Sequence, residues 1–184
     1  MAVLVAVSVV VLAAAACGGR GSDDEDGGRD DLPSSAPTGS TSPPTTTVED
    51  AVREAYEAYV AMIDRLTTTT VDPDDPEIAQ RLVDPMLSAT RTNLTTWRTE
   101  GQIWISGDQT SHAVESVELD GQTAYVTSCA VANDVLVDAG TVDVQFPAPD
   151  AIRHKTTLVN QGGVWLVKYI DAVGRWEDTS ECPT

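Results

Sequence analysis

Cys17 is the residue whose chemistry the sequence constrains most closely. It follows an apolar run from Ala2 to Ala16 and precedes Gly18 and Arg20, where the chain becomes abruptly polar. A helix needs about 20 apolar residues to cross a bilayer, so this run is too short to do so, and its small-residue end is typical of a signal peptide. The pattern predicts a lipoprotein signal peptide over residues 1–16 and a diacylglycerol thioether on Cys17.

Two features of this leader differ from the usual lipoprotein signal. Ala14 stands where Leu is commonest, three residues before Cys17, and no Lys or Arg precedes Arg20. We therefore expect the natural start of translation to lie upstream of Met1. An ordinary secretory signal cleaved near Ala16, with Cys17 left unmodified, is the alternative. Because two or more acyl chains hold a protein firmly on a bilayer, lipidation predicts stable anchoring to the outer face of the cell membrane.

The other two cysteines, Cys129 and Cys182, remain available once Cys17 is lipidated. An even number of cysteines outside the cytoplasm indicates a disulfide, which would tie the C-terminal tail to a strand. Two free thiols are the alternative. We predict no metal site, because the chain has two histidines and no Cys-x-x-Cys spacing. No cofactor is expected either.

The two histidines, His112 and His154, both fall in predicted strands. An imidazole on a strand can serve as a general base, although a place at the sheet surface or a strand end is the alternative. Asp171 would face His154 if the last hairpin pairs in simple register. Such a pair is either part of a site or an exposed cross-strand ion pair.

Four aromatic residues are further candidates for a pocket lining. Tyr56 and Tyr59 lie three residues apart on the first predicted helix, and Trp97 and Trp104 flank the junction between the helices and the strands. Each of these side chains either lines a cavity or packs in the core. The set of candidate pocket residues is Tyr56, Tyr59, Trp97, His154 and Asp171. No residue is assigned a catalytic role.

Composition divides the chain into a tether and a domain. Residues 17–47 begin with the predicted lipidated cysteine and continue as Gly, Ser, Asp, Pro and Thr with little apolar content, which is typical of a disordered linker. Such a coil spans about 30 Å on average. The whole chain carries a net charge of −18, and removal of the tether leaves about −14 on the single domain, residues 48–184. A surface of this charge repels phosphate backbones, which excludes nucleic acid as a partner.

Helical patterns occupy the first part of the domain. Apolar residues recur every three or four positions from Val48 to Leu66, which predicts an amphipathic helix, and Thr47 with Asp50 forms a capping-box pattern at its start. Two further starts are predicted at Asp75-Pro76 and at Asp84-Pro85. The last of these helices is predicted to run to Gly101.

Strand patterns occupy the second part. Asp120-Gly121 predicts a hairpin between 110–119 and 122–132, and residues 160–163 predict another between 151–159 and 164–172. In the last strand, Val164, Leu166 and Ile170 are expected on the face opposite to Trp165, Val167 and Tyr169. Residues 133–150 are less regular. Helices followed by antiparallel strands predict an α+β fold, with N-terminal helices packed on one face of a curved antiparallel sheet.

The order of these elements resembles the nuclear-transport-factor-2-like superfamily, which includes SnoaL-like proteins. The similarity covers about 48–184 and rests on the first helix, the helical turns to Gly101 and the closing strand Gly163-Val164-Trp165-Leu166-Val167. The leader, the acidic tether, the Thr127-Ser128-Cys129 strand and Cys182 are similar to secreted lipoproteins of actinobacteria. The resemblance implies a cone with a pocket between the sheet and the first helix. It implies no activity, because one fold hosts many functions, and no catalytic motif of the superfamily matches this chain.

Three functional hypotheses follow from the sequence. The first is a non-catalytic envelope lipoprotein that binds an envelope protein or a small apolar ligand through its cone. The second is a pocket enzyme of the isomerase or dehydratase kind, with Asp171 or His154 as its acid–base group and a perturbed pKa in an apolar pocket. The third is an accessory domain of a transport or cell-wall system, in which side chains fill the cone and the exposed sheet face is the interface.

Overall fold

The computed structural model describes residues 46–182, so the leader, Cys17 and nearly all of the tether lie outside the described residues. The first helix, α1, spans Val48–Thr68 and begins with the predicted capping box. The side chain of Thr47 accepts a hydrogen bond from the backbone N–H of Asp50 at 3.1 Å, and the Asp50 carboxylate accepts one from the backbone N–H of Thr47 at 3.1 Å. Two otherwise unpaired N–H groups are satisfied at this helix start.

Two shorter helices follow. Helix α2 spans Pro76–Arg81 and is capped by Asp75, as predicted. Helix α3 spans Met86–Glu100, and its N-cap is Pro85 and not Asp84. The predicted start was therefore one residue too early, although the Asp84 carboxylate still accepts a hydrogen bond from the backbone N–H of Ser88 at 3.2 Å. Gly101 ends α3 with a φ of +69°, a left-handed conformation that favours glycine.

The strands form two antiparallel sheets, in agreement with the predicted α+β class. A four-stranded sheet has the order β2-β3-β5-β6, and a two-stranded sheet pairs β1 with β4. The strands are β1 Gln102–Ile105, β2 Ser111–Asp120, β3 Thr123–Ala132, β4 Val135–Asp138, β5 Asp150–Gln161 and β6 Val164–Trp176. Sequence patterns missed β1 and β4, because four residues are too few for a period of two to stand out.

Both predicted hairpins are present. Asp120 pairs with Thr123, so the first turn consists of Gly121 and Gln122, one residue later than the Asp120-Gly121 prediction. The second turn lies between Gln161 and Val164. In the described part of the chain, residues 46–182, no helix is both long enough and apolar enough to span a membrane.

A bulge at Lys168 changes the register of the last hairpin. Leu158 pairs with Val167 but Thr157 pairs with Tyr169, which leaves Lys168 without an opposite residue. An extra residue in one strand reverses the face of the sheet on which each later side chain of that strand lies. The predicted alternation was therefore wrong for Ile170, which packs against the same core as Val167, whereas Tyr169 is exposed.

The core lies between α1 and one face of the four-stranded sheet, which we call the inner face. The apolar stripe of α1 supplies most of the helix side of this core. Its members are at most 5% exposed: Val52, Tyr56, Tyr59, Met62, Ile63 and Leu66. Strand residues Val126, Leu158 and Val167 complete the packing. Burial of so many large side chains supplies the main favourable term for this fold.

The opposite, outer face of the sheet is covered at one end by the C-terminal tail. Cys129 and Cys182 form a disulfide, the pairing expected from the cysteine count, and both are buried. Beside it, the Arg153 guanidinium donates to both carboxylate oxygens of Glu115 at 2.8 Å and lies 5.1 Å from the centroid of a Trp176 ring. The same guanidinium donates to the backbone carbonyl of Glu181 at 3.3 Å, so the tail is fastened by the disulfide and by this hydrogen bond.

Candidate functional site

Tyr56 is the centre of a polar cluster between α1 and the inner face. Its hydroxyl lies 2.8 Å from Nε2 of His112 on β2 and 2.8 Å from Oγ of Ser128 on β3. The amphipathic period of α1 directs Tyr56 at the sheet, and the pairing of β2 with β3 brings the two strand residues within reach. When His112 Nε2 is unprotonated, Ser128 donates to Tyr56 and Tyr56 donates to His112.

Two residues of β5 extend this cluster. His154 pairs across the sheet with Ser128, and Thr156 lies two positions further along the same face. Both are buried, at 6% and 0% exposure. Oγ1 of Thr156 has no hydrogen-bond partner among the described residues. We call Tyr56, His112, Ser128, His154 and Thr156 the inner cluster.

The inner cluster holds its imidazoles in the neutral form. Burial lowers the pKa of His112 to about 4, and repulsion by His154 adds to the shift. Burial also lowers the pKa of His154. Burial raises the pKa of Tyr56, and the hydrogen bond with Ser128 only partly offsets that rise. Because low-dielectric surroundings disfavour charge, all three groups are uncharged near neutral pH.

Two other candidate residues, Tyr59 and Trp97, lie in a different place. They line a cavity between α1 and α3 with Ile63, Met86 and Leu94. Its volume of about 10 Å³ has room for about one water molecule. Burial raises the pKa of Tyr59 well above its usual range, and Tyr56 adds to the rise. Of the predicted pocket residues, Tyr56 and His154 therefore lie in the inner cluster, whereas Tyr59 and Trp97 line this separate small cavity.

Asp171 belongs to neither place. The bulge at Lys168 moves it opposite Lys155, while Ala172 pairs with His154. Asp171 is exposed on the outer face, whereas His154 is buried on the inner face. The suggested Asp171–His154 pair is thus wrong, because it depended on a simple register.

The junction of helices and strands is filled by tryptophans. Trp97 and Trp104 contact each other edge to face, with ring centroids 5.9 Å apart. The Nε1 of Trp104 is buried without a hydrogen-bond partner among the described residues. Nearby, Asn133 occupies the space that a side chain at Gly107 would need, since an added Cβ would lie 2.0 Å from Asn133 Oδ1. These contacts pack a corner and leave no room for a ligand between the two rings.

Ser128 and Thr156 were missed by sequence reasoning. Each is a small polar residue at an inward position of a strand that is otherwise apolar on that face, where alternation would call for a hydrophobic side chain. A polar residue at an inward position is the signal that identifies a buried partner for Tyr56. Among residues 46–182, no group of three His, Cys, Asp or Glu side chains is arranged to hold a metal ion.

Comparison with known proteins bears on the fold alone. No protein-family model matches the chain, and no curated protein is significantly similar to it. The crystal structure of the intermembrane space region of the chloroplast protein ARC6 has a TM-score of 0.55 at 10% identity, covering 65% of this chain and 92% of that one. A solution structure of a de novo designed β-sheet protein reaches a TM-score of only 0.35 at 17% identity, over 67% of this chain and 88% of that one, and carries no argument.

Proposed function

We propose that this protein is a non-catalytic binding domain, tethered through a lipid on Cys17 to the outer face of the cell membrane. The observation that favours a non-catalytic role, with binding outside the cone, is the filled interior. The space between α1 and the sheet is occupied by side chains such as Tyr59, Met62 and Leu66, each at most 5% exposed. An apolar ligand would have to displace this packing, which costs several kcal/mol per large side chain. Binding is therefore assigned to the surface of the domain.

Two arguments support the envelope location. The apolar run before Cys17 and the polar tether after it fit a lipoprotein signal. The Cys129–Cys182 disulfide fits an oxidising compartment. We also propose the finer fold assignment, a cone-like nuclear-transport-factor-2-like domain, on the order of its helices and strands.

The anchor is tested on the full chain expressed in an actinobacterial host. We expect the protein in the membrane fraction, with a mass that places acyl groups on an N-terminal Cys17. The Cys17→Ala variant should lose the lipid. A mature protein that begins at Cys17 without acyl groups, or wild-type protein found free in the medium, would contradict the anchor.

A pocket enzyme is the second candidate function, and the inner cluster is the observation that favours it. A buried tyrosine between an imidazole and a serine hydroxyl resembles an acid–base relay in outline. The pKa of His112 weighs against it, because a general base works best with a pKa near the working pH, and about 4 is too low. The binding domain is therefore preferred.

Native mass spectrometry of the detergent-extracted full chain separates the two candidates. The binding domain predicts the mass of the lipoprotein alone, with no small molecule retained in its interior. An adduct of a few hundred daltons that is lost on denaturation, and that is absent from a Tyr56→Phe variant, would favour the pocket enzyme instead.

A further inference from the structure

We infer that a groove at the turn end of the four-stranded sheet binds a saccharide. This turn-end groove has a volume of about 330 Å³, within the range of small-ligand sites. Six hydrogen-bonding residues line it: Asp84, Gln122, Thr123, Asn160, Gln161 and Lys168. The inference rests on the proposed binding function and names its ligand, but it depends only on this groove and not on the lipid anchor.

The polar groups of the groove are available to a ligand. Among residues 46–182, the side chains of Gln122, Thr123 and Gln161 form no hydrogen bond with one another or with any neighbour. Lys168 has no carboxylate within 4 Å in the same part of the chain, and its ammonium lies 5.4 Å from the Tyr169 ring centroid. Side-chain amides both donate and accept, so they suit the neighbouring hydroxyls of a sugar, which also do both.

Three segments hold the groove in shape. The backbone N–H of Asn160 donates to the carbonyl of Gln122 at 2.8 Å, which joins the two hairpin turns. Asn160 Oδ1 accepts from the backbone N–H of Gly163 at 2.9 Å, so the amide nitrogen of Asn160 is left to donate. On the third side, the N–H of Val83 donates to the carbonyl of Val167 at 3.0 Å. Preorganised donors lower the entropy cost of binding.

The chemistry of the lining selects among ligand classes. One cation, Lys168, and one anion, Asp84, line the groove, so the lining carries no net charge that would favour a phosphate or a polycation. Only Val83 and Val159 are apolar, which is too little to anchor a peptide by hydrophobic side chains. The two valines instead offer a small apolar floor for the C–H face of a sugar ring. A neutral saccharide of one or two rings fits both properties.

The test measures saturation-transfer NMR and titration calorimetry on the lipidated full chain in nanodiscs. The probes are N,N′-diacetylchitobiose, cellobiose and maltose, all neutral disaccharides. We expect saturation transfer to at least one of them. The double variant Gln122→Ala/Gln161→Ala should bind it about tenfold more weakly, because two amide hydrogen bonds are lost. Gln109→Ala, which removes an exposed amide outside the groove, should bind as the wild type does.

The outcomes separate the groove from the rest of the proposed function. The proposed saccharide site would be overturned if none of the three saccharides showed saturation transfer, or if the double variant bound as tightly as the wild type. Binding accompanied by new sugar resonances would support the groove and overturn the non-catalytic role. If the purified wild-type chain binds a saccharide but carries no lipid on Cys17, the result would support the saccharide site and contradict only the anchor.

Discussion

Tyr56 links the first helix to two strands through a single hydroxyl. That hydroxyl meets His112 and Ser128, each at 2.8 Å, in a buried setting. The Tyr56→Phe change keeps the ring and its packing but leaves the buried Ser128 hydroxyl and the half-buried His112 imidazole short of a partner. Because an unsatisfied buried group costs about 1–3 kcal/mol, we expect the free energy of unfolding in urea to fall by about 2 kcal/mol.

Tyr125 provides the matched control for this change. It lies on the outer-facing side of β3, where its ring contacts the Lys155 ammonium at 4.6 Å and its hydroxyl forms no hydrogen bond with the described residues. Tyr125→Phe should change stability by less than about 0.5 kcal/mol. Equal effects of the two changes would show that the inner cluster contributes no net stability.

His112 makes stability depend on pH through its lowered pKa. The pKa is about 4 in the folded chain and about 6.5 in an unfolded chain. Between these values the unfolded state binds more protons, so stability is lost as the pH falls from 7 towards 4. Because solvent screens this half-buried ring, the full effect of the pKa difference is reduced. We expect His112 to account for a loss of about 1–2 kcal/mol in the free energy of unfolding.

The readout is the difference between the wild type and His112→Gln, measured by urea unfolding at pH 7, 5.5 and 4. Carboxylates elsewhere titrate in both proteins, so their effects cancel in the difference. The wild type should lose more stability than the variant as the pH falls. Parallel pH profiles would mean that the ring of His112 is not desolvated as the structure places it.

At the scale of elements, the bulge at Lys168 decides which residues of β6 face the core. It turns Ile170 inward and Tyr169 outward, with Tyr169 at 45% exposure. We expect Ile170→Ala to lower the free energy of unfolding by about 2 kcal/mol, because a packed aliphatic side chain is lost. Tyr169→Ala should cost less than about 1 kcal/mol. A regular strand without the bulge would make Tyr169→Ala the more costly change. The ranking of the two variants in urea unfolding therefore tests the bulge directly.

Long periodic elements were predictable and local irregularities were not. The α1 stripe, the Asp75 cap and both hairpins follow from spacing and turn chemistry, which are local properties of the chain. No sequence pattern predicts the bulge at Lys168, because the extra residue is identified only by how the strand pairs with its neighbour. That single residue removed Asp171 from the predicted site.

For the whole molecule, the disulfide lies in a second packing region that is separate from the main core. Cys129 and Cys182 pack with Ala151, Val131 and Trp176 on the outer face, apart from the main core under α1. The bond closes a loop with a sequence separation of 53 residues. In the chain-entropy model a loop of this length stabilises the fold by roughly 4 kcal/mol as an upper figure.

We therefore expect the Cys129→Ser/Cys182→Ser variant to lose about 3 kcal/mol of unfolding free energy while its far-ultraviolet circular dichroism stays that of the wild type. The spectrum should persist because the core under α1 does not include the tail. Wild-type protein in excess reductant should reach the same stability as the variant, which controls for the serine substitutions. Complete loss of secondary structure on reduction would mean that the core cannot hold the sheet without the tail. An unchanged urea midpoint would mean that noncovalent contacts, such as the hydrogen bond from Arg153 to the Glu181 carbonyl, suffice to fasten the tail.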